Sequence, residues 1–92
     1  MQTQFDWTRI NNDVNGNPRY VVHFLQCEPQ AWKYQGSPSE RYARVCKLMN
    51  RIGGRKFSNK QYGGGIVFQS HSLPETEAAI RRLLDEDLMI GM

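Results

Sequence analysis

Apolar and polar positions divide the chain into six short elements. In "TQFDWTRI", Phe5 and Trp7 alternate with Asp6 and Thr8, the period of a half-buried strand. "NNDVNGNP" follows, and its Asn15-Gly16 pair signals a hairpin because both residue types tolerate positive φ. The return stretch "RYVVHFLQC" is apolar on both alternations, Tyr20, Val22 and Phe24 on one side and Val21 and Leu25 on the other. A strand apolar on both faces belongs in the middle of a sheet. Pro18 has no donor, so pairing should begin after it. "EPQAWKYQG" then reads as a loop, in which Trp32 either covers the end of the core or is presented to a partner.

Two helices are announced by their first turns. Ser37-Pro38-Ser39-Glu40 is a capping box with proline at the first helical position. Tyr42, Val45, Cys46, Met49 and Ile52 follow as one apolar stripe, and Gly53 supplies the left-handed stop. Arg41, Arg44, Lys47 and Arg51 fall within about 120° of one another on the opposite face, by the 100° step of a helix. "RKFS", a turn at Asn59-Lys60 and a return strand Ile66 to Ser70 form a second hairpin. Ser72-Leu73-Pro74-Glu75 opens the last helix with a second box, and Thr76, Ala79, Ile80, Leu83 and Leu84 share its apolar face. Asp85 to Asp87 oppose the helix dipole, so residues 85–92 should fray. The order is ββαββα. The expected fold is a single α+β domain over residues 1–92, with a four-stranded, mostly antiparallel sheet and both helices on one face.

Charge changes this picture by pointing to a surface. Between Arg41 and Pro74 the chain carries Arg41, Arg44, Lys47, Arg51, Arg55, Lys56 and Lys60 and no acid, whereas the remainder holds five basic and nine acidic residues. Segregated charge concerns partners more than fold. The candidate binding residues are these seven cations, with Trp32 and Tyr62 as aromatic anchors. Such a face suits phosphate or an acidic protein surface.

Other chemistries find less support. Gly63-Gly64-Gly65 precede a strand instead of opening a helix, so they mark a bulge or a close backbone approach and not a phosphate cradle. "YGGGIVF" echoes a base-stacking strand of the RNA recognition motif, but only Phe68 fits and the element order differs. Ser37 and Ser72 are explained as caps, and His23 and His71 have no evident catalytic partner, so no enzyme is expected. Cys27, Cys46, His23 and His71 lack the close spacing of a zinc site, so no metal or cofactor is expected, and the cysteines read as free thiols, with one disulfide between them as the alternative. No apolar run has the ~20 residues of a membrane helix, and "MQTQFDWTRI" lacks a signal-peptide core.

"NPRYVVHFL", a helix ending in "IGGRKF", then "QYGGGIVFQS" and a closing amphipathic helix resemble small proteins of phages and mobile elements. Over about residues 14–84 the chain is most similar to anti-CRISPR proteins that act on the type I-F surveillance complex. The resemblance implies a non-enzymatic inhibitor, monomeric when free, in the cytoplasm of the infected bacterium. It would dock on protein subunits of the guide-RNA complex, or on the guide RNA itself, and block recognition of target DNA. It carries no contact residues. The alternatives are a phage or plasmid protein that binds nucleic acid directly through the basic helix, and an assembly protein that oligomerises through a sheet edge.

Overall fold

The computed structural model describes residues 5–28, 36–59 and 63–86. Trp32, Lys60 and Tyr62 lie outside these residues, as do most of the loop after Glu28, the second hairpin's turn and the tail from Asp87. Four strands and two helices run in the order β1 (Thr8–Ile10), β2 (Arg19–His23), α1 (Pro38–Met49), β3 (Arg55–Asn59), β4 (Gly63–Gln69) and α2 (Leu73–Asp85). The sheet order is β1-β2-β4-β3, and all three pairings are antiparallel. This is the α+β fold expected from the pattern, with β2 in the interior.

Both helices cover one face of the sheet. The register Val22↔Ile66 and Tyr20↔Phe68 places these four side chains on the same side. Val22, Ile66 and Phe68 form one core with Val45, Leu48 and Met49 from α1 and with Ile80 and Leu83 from α2. Trp7 fastens the chain's beginning to α2. Its indole N–H donates to the Glu77 carboxylate at 2.9 Å, and its ring meets Phe68 edge-on at 5.8 Å. Val21 and Ile10 are buried on the other face, which explains why β2 is apolar on both alternations.

Several boundaries differ from the sequence pattern, each for a local reason. β1 is only three residues long. The first turn is organised by Asp13, whose carboxylate accepts the N–H groups of Asn15 and Asn17 and lies below its ordinary pKa chiefly for the bond from Asn17. Gly16 alone takes a positive φ there (82°), and Asn15 does not. β2 stops at His23 because the His23 ring accepts the Leu25 N–H and starts a 3-10 turn, Phe24–Cys27. Leu25 is thereby sent to solvent and Cys27 into the core. The return strand β4 begins at Gly63, three residues before the apolar run.

Candidate functional site

The first turn of α1 sets the frame for the basic residues. The Ser37 hydroxyl accepts the Glu40 N–H at 3.3 Å, and the Glu40 carboxylate accepts the Ser37 N–H at 3.2 Å, the reciprocal box read from sequence. At the other end the helix tightens into a 3-10 turn, Asn50–Ile52, and stops at Gly53 with φ 91°. Val45, Leu48 and Met49 face the core. Leu48 was missing from the expected apolar stripe, and its burial moves the helix's inner face toward Arg41 and Arg44.

The expected basic face is therefore narrower than the spacing implied. Arg41 is half-buried at the edge of this face and already has an acidic partner. Its guanidinium donates two bonds to Glu28, at 3.0 and 2.6 Å, and this pairing holds its pKa up. Glu28 lies outside the acid-free stretch, which is why sequence alone left Arg41 unpaired. Arg44 is half-buried, whereas Lys47 and Arg51 are exposed. The spacing of Arg44, Lys47 and Arg51 puts them one above another along the helix and its 3-10 extension. They form the outer ridge of α1.

β3 brings the next two cations alongside. Arg55 reaches back to the Asn50 side chain at the end of α1, and the Lys56 ammonium lies 5.5 Å from the centre of the Tyr42 ring. Both residues are exposed. The described cations thus wrap α1 from Lys56 on one flank across Lys47 and Arg51 to Arg44 on the other. Lys60, Trp32 and Tyr62 fall outside the described residues, so the aromatic anchors are not placed.

Tyr42 is the residue whose role the sequence did not indicate. From α1 its hydroxyl reaches the seam between β3 and β4, 2.6 Å from the Phe57 carbonyl and 2.8 Å from the Gly65 carbonyl. It also accepts the Gly65 N–H at 3.2 Å. Burial pushes its pKa up. Phe24 stacks on the ring at 4.9 Å, and His23 stacks on Phe24 at 5.0 Å. A Cβ on Gly64 would make only ordinary contact with the Tyr42 ring at 3.4 Å, whereas one on Gly65 would stand 2.7 Å from a Val21 methyl and 2.8 Å from the Val22 carbonyl oxygen of β2. Within the run, Gly65 is the position where the neighbouring strand β2 approaches too closely for a side chain. A tyrosine on the inner flank of a basic helix, followed by glycines in a strand, was the available signal.

The remaining chemistry-bearing residues are accounted for structurally. Ser72 caps α2 by accepting the Glu75 N–H at 3.5 Å, but the expected reciprocal bond is replaced: the Ser72 N–H goes to the Ser70 hydroxyl at 3.1 Å. Phe68 is core, which removes the one residue that could have stacked on a base. Cys27 and Cys46 are free thiols, and burial pushes Cys27 up to about 12. Among the described residues no three His, Cys, Asp or Glu side chains come together as a metal site, and no helix is long and apolar enough to cross a membrane.

No curated protein and no solved structure matches this chain. The family described as Staphylococcus phage terminal repeat-encoded protein TreK matches it over residues 1–89, a span that takes in every element above. The chain belongs to this family of phage proteins.

Proposed function

We propose that the protein is a non-enzymatic phage inhibitor that binds a host nucleic-acid-handling complex through the outer ridge of α1. The observation that carries the reading is the grouping of Arg44 and Lys47 on α1 with Arg51 on its 3-10 extension, continued by Arg55 and Lys56 on β3, within a stretch that has no acid of its own. Positive charge of this density steers the domain toward phosphate or carboxylate surfaces. The capping box, Gly53 and the Tyr42 anchor hold the ridge in one orientation, so little ordering is needed on binding. The type I-F surveillance complex is the specific target offered by the sequence resemblance. There the protein acts as a free monomer in the host cytoplasm, contacts protein subunits or guide RNA, and blocks access of target DNA.

A gel shift of target duplex by guide-loaded type I-F complex, with and without excess protein, tests this reading. Loss of the complex-dependent band is expected, with no shift when the protein meets the duplex alone. An unchanged band overturns the type I-F assignment. Direct binding of nucleic acid is the second reading, favoured by the same cations. It predicts a shift in the control lane that weakens steeply with salt, from a nonspecific Kd of roughly 10⁻⁴–10⁻⁶ M at physiological ionic strength.

A further inference from the structure

We infer that the outer edge of β3 is a docking strand for an extended acidic segment of a partner protein, which adds to the sheet beyond β3. Among the described residues β3 closes the order β1-β2-β4-β3 and pairs with β4 alone. Its inward groups are identified by Tyr42: one hydroxyl lies within bonding distance of both the Phe57 and the Gly65 carbonyls, and these two residues face each other in the register. Phe57 therefore turns its main chain toward β4. By strand alternation Lys56 and Ser58 turn theirs outward, two N–H and two C=O groups in all. Both residues are exposed.

Charge decides what kind of strand this edge accepts. Arg55 and Lys56 flank the outward groups, and the neighbouring ridge of α1 adds Lys47 and Arg51. Cations on an edge strand discourage pairing with a second copy of the same strand. The same cations attract a strand that carries carboxylates, since opposite charges directly across a ladder stabilise it and like charges do not. Main-chain bonds then supply affinity, and the flanking side chains supply selectivity. The Tyr42 hydroxyl and the Lys56–Tyr42 contact hold the strand from the inner side, so the edge is already shaped for pairing. This edge adjoins the ridge and shares Arg55 and Lys56 with it, but its test reads main-chain pairing and does not depend on any CRISPR complex.

The test is amide exchange by NMR on the full chain, with two blocked hexapeptides as probes, one alternating glutamate and valine and one alternating lysine and valine. The glutamate peptide should slow exchange at the Lys56 and Ser58 amides about tenfold, as new ladder bonds would. The inward Phe57 amide should change little, and the lysine peptide should do nothing. Lys56→Glu leaves the main chain intact and should reverse the preference between the two peptides. Ser58→Pro removes one outward donor and should abolish protection at Lys56, with the fold checked by circular dichroism. Protection by neither peptide, equal protection by both, or shifts confined to α1 would each overturn the assignment. A concentration-dependent dimer with protection at the same amides and no peptide present would overturn it too, in favour of a second copy.

Discussion

α1 and α2 begin with the same local signal and are wired differently. Each has Ser at the N-cap, Glu three residues on and Pro in the first turn. In α1 the box is closed within itself, Ser37 to Glu40 and back. In α2 the Ser72 N–H turns instead to Ser70, which is buried and also bonds the Thr76 hydroxyl at 2.7 Å. Thus α2 is tied to the end of β4 by its cap, whereas α1 keeps a self-sufficient start. The outer faces differ as well: α1 presents Lys47 with Arg51 just beyond it, while α2 mixes Glu75 and Asp85 with Arg82. Identical capping signals set helix starts. The different neighbours decide which helix is fastened to the sheet and which offers a uniform charge.

The comparison can be broken most forcefully in the shared core. Met49 of α1 is fully buried, so Met49→Ala should cost about 2–5 kcal/mol in urea unfolding. A loss under 1 kcal/mol would mean that α1 is not seated as described. Ser70→Ala comes next, because it leaves the Ser72 N–H without its buried acceptor. It should destabilise by about 1–3 kcal/mol, more than a surface serine would. Ser37→Ala should cost about 1 kcal/mol through the lost cap. Here the helices should part: Glu40→Ala removes the return bond of α1, while Glu75→Ala in α2 has no such bond to lose. Equal costs at the two glutamates, read from the same unfolding curves, would erase the distinction. Smallest of all, Lys47→Glu with Arg51→Glu should change stability by no more than about 0.5 kcal/mol, as exposed substitutions do.

The sequence was most legible where the signal was local. The Ser37–Glu40 box, the proline starts and the Gly53 stop each concern a few adjacent residues, and each was found in place. The interior position of β2 followed from its two apolar faces, whereas the sheet order β1-β2-β4-β3 was not read from the sequence. Contacts between distant segments were not legible. Glu28 reaches Arg41 across thirteen positions, and Tyr42 crosses to Gly65 twenty-three positions away. Each draws a residue away from the role its own helix periodicity assigned. For the candidate surface, the run of cations gave Lys47 and Arg51 correctly as exposed, but it could not show that Arg41 was already neutralised.

The most direct test of the ridge is to repeat the type I-F gel shift with the Lys47→Glu, Arg51→Glu protein beside the wild type, with Arg82→Glu on α2 as the control. The account predicts that wild type and the α2 variant abolish the complex-dependent band at equal concentration, while the doubly reversed protein leaves it intact. Full inhibition by the doubly reversed protein, with its fold unchanged, would contradict the claim that α1 carries the docking surface.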